Sequence, residues 1–223
     1  MMKTARFDGA GDMDSARISD LVSLAGKYPG EKIWLTVTAM DWSAPALQAA
    51  TDAFCSGHRE PALEIFRSFR ERILSIAEGL SIMDMPEAVS RMESFFTEVE
   101  WLLHDRPVQD RSYYHDQITC IGSLLSSVLV WARLRQEGIP AGWTDARDFL
   151  RTDDRFGAAT ADSRYAASML AAISEKLFAE NDFIVTQAGI GATDENESTT
   201  LGMDGENATI ALLATCLPAE IIN

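Results

Sequence analysis

FIVTQAGIGATDENESTTLGMDGENATIALL, residues Phe183 to Leu213, decides how the chain is read. Phe183-Ile184-Val185 is a short apolar run of the kind a buried parallel strand needs. Gly189 and Gly191 follow, then an acidic, threonine-rich loop, then the turn Gly202-Met203-Asp204-Gly205. That turn opens a predicted helix with contacts expected at Ala208, Ala211 and Leu212. Strand, glycine turn and helix N-terminus together expose backbone N–H groups, which suit an anion. A site is expected here.

Working outward, strands alternate with helices. Thr4 to Phe7 reads as a first strand, followed by the turn Asp8-Gly9-Ala10-Gly11. Asp14 or Ser15 can cap the next helix, which carries Ile18, Leu21, Val22 and Leu24. Gly9 and Gly11 fit either a tight strand–helix turn or a close backbone approach to a ligand. Lys32 to Ala39 (KIWLTVTA) is β-branched and aromatic, and follows the turn signal Pro29-Gly30. A helical region of about 44–110 comes next, with apolar residues at Leu63, Ile65, Phe66, Phe69, Ile73 and Ile76. Pro86 can begin a helix through Met92, Phe95, Phe96, Val99 and Leu102. Arg67, Arg70, Glu71 and Arg72 read as a solvated helix face. Tyr113 to Gln136 is a long helix burying Ile118, Ile121, Leu124, Leu125, Val128 and Leu129, ended by Gly138-Ile139-Pro140. Ala141 to Asp145 is a strand end, and Ser163 to Ala179 a helix with Tyr165, Met169, Ile173 and Leu177 on one side. Glu220 to Asn223 closes the chain as a strand. The alternation predicts an α/β fold, a largely parallel sheet sandwiched by helices, in one domain over 1–223.

Composition narrows the function. The 223 residues carry a formal charge of −15, and no basic cluster offsets it. Nucleic-acid phosphates and anionic lipid would repel such a surface, which leaves small molecules and other proteins as partners. No apolar run approaches the ~20 residues of a membrane span, and the N-terminus lacks an apolar signal core, so the cytoplasm is the default location. Cys55, Cys120 and Cys216 fit neither a zinc motif nor a disulfide framework. His58, His104 and His115 have no partners at metal-ligand spacing, so they read as surface or satisfied histidines and no metal centre is assigned.

Five segments in order resemble the catalytic domain of aspartate kinases in the amino-acid kinase family. Arg6-Phe7-Asp8-Gly9-Ala10-Gly11 is similar to the family's Lys-Phe-Gly-Gly-Thr-Ser phosphate loop. Val37-Thr38-Ala39-Met40 resembles its Val-Ser-Ala-Met, and Cys120 to Ser126 (CIGSLLS) its Ser-x-Gly-Glu-x-Leu-Ser segment. Arg151 to Gly157 (RTDDRFG) is close to its substrate-binding segment. Val185-Thr186-Gln187 and Thr199-Thr200-Leu201-Gly202 resemble its strand and its Thr-Thr-Leu-Gly-Arg-Gly-Gly-Ser-Asp loop. The resemblance runs from Arg6 to Ile222 and implies the amino-acid kinase fold, with the helical region as an insertion. It also implies an amino-acid ligand, a place in amino-acid biosynthesis, and a homodimer or pairing with an intact kinase or pathway enzyme.

The departures from the family pattern run in one direction. Arg6 stands for the loop lysine, Asp8 for a glycine, and Ala10 and Gly11 for two hydroxyl residues. Met203 replaces an arginine, Asp204 a glycine, Glu206 a serine, Asn207 an aspartate, and Asp41 a glycine. Cations and glycines are lost where a polyphosphate would lie, and carboxylates arrive. ATP and Mg²⁺ enter this reading only if metal ions bridge those carboxylates. The match also ends before the family's nucleotide-base segments, so a shortened, degenerate homologue without ordinary kinase activity is expected. Gly9, Gly11, Gly202, Met203, Gly205 and Asn207 form the degenerate phosphate loops. On the amino-acid side the resemblance implies Thr38, Ser123, Arg155, Phe156, Gly157, Thr199 and Thr200. Arg155 there holds a substrate carboxylate or pairs with Asp153 or Asp154, and Ser123 stands in place of a glutamate. Two other readings stay open. In one, Arg6, Asp8, Asp41, Asp204 and Glu206 carry altered chemistry on an amino-acid substrate. In the other, the chain is a structural or regulatory subunit.

Overall fold

A computed structural model describes residues 2–9, 23, 26–217 and 219–222. Its strands are β1 (Met2–Phe7), β2 (Lys32–Val37), β3 (Ala141–Trp143), β4 (Phe183–Gln187), β5 (Ile190–Ala192), β6 (Ser198–Thr200) and β7 (Glu220–Ile222). Its helices are α1 (Ser43–Cys55), α2 (Arg59–Gly79), α3 (Pro86–His104), α4 (Arg111–Gln136), α5 (Ala146–Phe149), α6 (Ser163–Glu180) and α7 (Gly205–Cys216). Ala10, Gly11 and the expected first helix from Asp14 to Leu24, except Ser23, lie outside the described residues, as does Asn223.

The fold is α/β, as expected. A parallel five-stranded sheet runs in the order β3-β4-β2-β1-β7. Its register sets Phe7 beside Val37 and Val37 beside Gln187, so three strands end on one line. Ligands in open parallel sheets bind beyond such carboxyl ends. Every residue of β4 is buried, which explains its unbroken apolar start. At its polar end Gln187 is satisfied, accepting from the Ala146 N–H (2.7 Å) and donating to Ser127 (2.6 Å). Trp34 of β2 is fully buried, edge-on to Phe149 and Phe178.

Helix α4 packs across β2, β4 and β3 and is buried almost all round. It is long and apolar enough to cross a membrane, but its apolar stretch lies mostly buried inside the protein. The sequence hid this because serines interrupt the apolar run. Ser126 and Ser127 turn their hydroxyls onto the backbone carbonyls of Gly122 and Leu124, so they are buried at little cost. Pro86 is at the first turn of α3, as expected. Arg70 departs from the expected solvated face. It is partly buried and bonds Glu93 (2.6 Å) and Glu100 (2.8 Å) of α3, tying α2 to α3.

Two expectations at the C-terminal end need correction. The acidic, threonine-rich loop is a β-hairpin: β5 pairs antiparallel with β6, and the turn between them places Asn196 at φ 64°. Asparagine tolerates that left-handed backbone, and charged turn residues masked the short strands. Helix α7 buries Gly205, Thr209, Ile210 and Leu213, whereas Ala208 and Ala211 are exposed. The small side chains gave a misleading stripe because a tight approach at Gly205 sets the rotation of the helix. A Cβ there would lie 2.7 Å from the Leu201 side chain.

Candidate functional site

The line of strand ends brings one group of expected residues together. Gly9 follows β1, and its N–H donates to Thr38 Oγ1 at 2.8 Å. A Cβ on Gly9 would lie 2.5 Å from the Thr38 carbonyl oxygen, so the tight-turn reading of this glycine has a direct steric cause. Thr38 in turn donates to Asp8 (3.3 Å). Arg6, from β1, reaches Asp8 (3.2 Å), Asn207 (3.3 Å) and Glu206 (3.6 Å). The loop cation is therefore engaged by the two acidic newcomers. Burial pushes the Glu206 carboxyl above its ordinary range, Arg6 pulls it down, and Asp8 and Asp41 push it further up. Asp204 accepts from Asn207 at 2.8 Å at the start of α7, and Met203 is fully exposed. The glycine-turn N–H of Gly189 is taken by Thr209 (3.0 Å). Among the described residues no group of three or more His, Cys, Asp or Glu side chains is placed to hold a metal ion.

Beside this group lies a cleft of about 620 Å³. One wall is the α4 face His115, Thr119 and Ser123; the others include Gln48 of α1, Gly157, the turn at Gly189, and Gly202, Met203 and Glu206. Ser123, Gly157, Thr200, Gly202 and Met203, all expected from sequence, line it. Arg155 is exposed, donating from Nε to Asp153 at 2.8 Å and from Nη2 to Thr160. The surface pair weighed from sequence is thus formed, and Asp153 is held below the usual carboxylate range, first by the Thr160 N–H and then by Arg155. Phe156 packs edge-on against Tyr113 (5.1 Å). Thr199 faces inward: it is fully buried and its hydroxyl meets that of Thr152 at 2.8 Å.

Asp116 was missed. It is fully buried on α4, and one carboxylate oxygen accepts the N–H groups of Gly157 and Thr200, each at 2.8 Å. The other accepts the Thr200 hydroxyl at 2.7 Å and lies 3.0 Å from His115 Nδ1. Next to it, Gln117 exchanges two bonds with the Ser198 backbone, at 2.8 and 3.0 Å. Adjacent α4 residues therefore fasten both the 151–157 segment and the hairpin. The sequence did carry a signal, an acid inside the buried stripe between Tyr114 and Ile118, where only a fully bonded carboxylate is tolerated.

Glu206 gives a pH prediction. Its native pKa is raised, so the folded state binds more protons than the unfolded state between the ordinary and the raised value. Its contribution to stability is present below the ordinary glutamate range and declines as pH rises through the native pKa. Glu206→Gln is expected to remove that decline, by under about 1 kcal/mol because the side chain is 45% exposed. Urea denaturation of both proteins from pH 4 to 7.5 checks it: the wild type is expected to lose stability relative to Glu206→Gln as pH rises, and a relative gain by the wild type contradicts the sign.

No family model matches the chain. Over 108 residues it is 36% identical to lysine-sensitive aspartokinase 3 of Escherichia coli, covering 48% of this chain and 24% of that one. Over 107 residues it is 36% identical to the aspartokinase of Thermus thermophilus, covering 47% of this chain and 25% of that one. The crystal structure of E. coli aspartokinase III with lysine and aspartate superposes at TM-score 0.79 and 25% identity, over 98% of this chain and 47% of that one. Clostridium acetobutylicum aspartate kinase, at 15% identity and TM-score 0.71, supports the fold alone. The chain spans about a quarter of the curated relatives' length and about half of these structures. In sequence and in fold, the chain is aspartokinase-like.

Proposed function

We propose that this aspartokinase-like chain is a single domain that binds an aspartate-like amino acid in the α4 cleft, and does not carry out ordinary ATP-dependent phosphoryl transfer. The observation that carries the reading is Arg6 engaged by Asp8 and Glu206. A polyphosphate would have to displace two carboxylates from the cation that should receive it, with Asp41 and Asp204 on neighbouring segments. The amino-acid side keeps its frame, because Asp116 holds Gly157 and Thr200 in place. E. coli aspartokinase III has been crystallised with aspartate and ADP, and it superposes on 98% of this chain. In this reading Arg155 meets a ligand carboxylate with the exposed part of its fork, and Ser123 and Thr200 supply hydroxyls.

Binding shows as a shift in melting temperature. At a hundredfold excess over Kd, a ligand stabilises by about 2.7 kcal/mol, which is roughly 5–10 °C for a chain of this size. L-aspartate is expected to give such a shift, and ATP with Mg²⁺ none. No response to aspartate, or phosphoryl transfer from ATP to aspartate above a protein-free control, defeats the proposal. One observation favours altered chemistry instead: Glu206 lines the cleft with a raised pKa, as suits a proton-transfer group. That reading requires a turnover that Glu206→Gln abolishes.

A further inference from the structure

His115 lines the cleft with its side chain 30% exposed, and its Nδ1 lies 3.0 Å from a carboxylate oxygen of the fully buried Asp116. As a carboxylate Asp116 only accepts hydrogen bonds, and it already receives three donors, from Gly157 and Thr200. The ring nitrogen facing it must therefore carry the proton. In the neutral imidazole that leaves Nε2, at the opposite edge of the ring, as an acceptor. Ring orientation and tautomer are thus fixed from behind by a group that no ligand touches, the arrangement by which a buried acid sets the working face of a histidine.

We propose that His115 is a ligand-binding residue of the cleft, and that its Nε2 accepts a hydrogen bond from the amine of the bound amino acid, with Asp116 as the positioning residue behind it. This rests on the amino-acid reading above and adds to it the polarity of the site. Glu206 also lines the cleft and is an acceptor when ionised. Thr200 spends its hydroxyl proton on Asp116 and so offers lone pairs to the cleft. Such a wall selects for a ligand rich in N–H donors. His115 and Ser123 lie on one face of α4, eight residues and so about 12 Å apart along its axis. A ligand held by its amine at the His115 end can therefore leave its carboxylates to groups further along the cleft.

The first test needs no ligand. Long-range proton–nitrogen correlation spectra of the ¹⁵N-labelled protein report histidine tautomers, and His115→Gln identifies the His115 signals against His58 and His104. The neutral ring is expected as the Nδ1–H form in the wild type, with that preference lost in Asp116→Asn. A dominant Nε2–H form in the wild type overturns the proposal. The second test compares L-aspartate with succinate, which differs only in lacking the amine, by calorimetry. Aspartate is expected to bind at least tenfold tighter. His115→Phe should remove about that factor, whereas His115→Gln, whose amide oxygen can accept and whose N–H can face Asp116, should largely keep it. Aspartate bound equally by wild type and His115→Phe overturns this inference and leaves the amino-acid reading standing. No binding of aspartate by the wild type defeats both.

Discussion

Asp116→Ala is expected to destabilise the protein by about 3–4 kcal/mol, and Asp116→Asn by less than half of that. The alanine variant strips the N–H groups of Gly157 and Thr200 of their 2.8 Å acceptor and also loses the Thr200 hydroxyl bond. A hydrogen bond to a charged group contributes about 1.5–3 kcal/mol, and a buried donor left unmet costs about 1–3 kcal/mol. Partial access of water to the 157 segment places the sum below the upper limit. Asparagine keeps an oxygen facing both N–H groups. Its amide nitrogen can donate to the Thr200 hydroxyl, which turns round, so charge assistance is the main loss. Urea denaturation of the two variants beside Thr200→Val, which removes only the hydroxyl bond, apportions the clamp. Hydrogen exchange should speed up at Gly157 and Thr200 well before the global core opens. A cost under about 1 kcal/mol in Asp116→Ala would mean that Asp116 does not hold the cleft together.

The fold was legible because its signals are local. Phe183-Ile184-Val185 and KIWLTVTA can be buried only as inner strands, and helical periodicity from Leu63 to Leu129 holds where the helices form. What failed was rotation and pairing. The Ala208 and Ala211 stripe pointed outward because the close approach at Gly205 sets the angle of α7, and that contact is tertiary. The β5–β6 pairing stayed hidden because hairpin register depends on a turn whose residues are chosen for backbone conformation rather than for periodicity. At the site, the substitutions themselves were readable, and the structure adds which groups they meet. Arg6 could be named as a retained cation, but only the register of β1 against β2 and the start of α7 place Asp8 and Glu206 on it. Asp116 and His115 were passed over for the opposite reason. An acid on an apolar helix face and a histidine without a metal-spaced partner carry no motif, and their meaning comes from the loops that fold over them.

Removing both carboxylates from Arg6, in a variant carrying Asp8→Gly and Glu206→Ser, is expected to raise affinity for Mg²⁺–tripolyphosphate about a hundredfold. The probe carries the phosphates without a base, so the result does not depend on groups that would hold a nucleoside. A unit charge 4 Å from another of the same sign costs about 1 kcal/mol in water and about 4 kcal/mol at an effective dielectric of 20. The Asp8 and Glu206 side chains are 54% and 45% exposed, which puts each near the lower end, at roughly tenfold in binding. Freeing the Arg6 guanidinium adds in the same direction, while losing an acid from the first turn of α7 costs only a few tenths of a kcal/mol in stability. The gain should shrink in 0.5 M salt, where the Debye length falls to about 4 Å. Adding Arg6→Ala to the variant separates the two causes. If the gain survives, repulsion by the carboxylates excluded the anion; if it disappears, they acted by occupying its cation. A double variant that binds no tighter than the wild type would mean that charge at this loop is not what keeps polyphosphate out, and the shape of the Gly202–Gly205 turn would have to account for it.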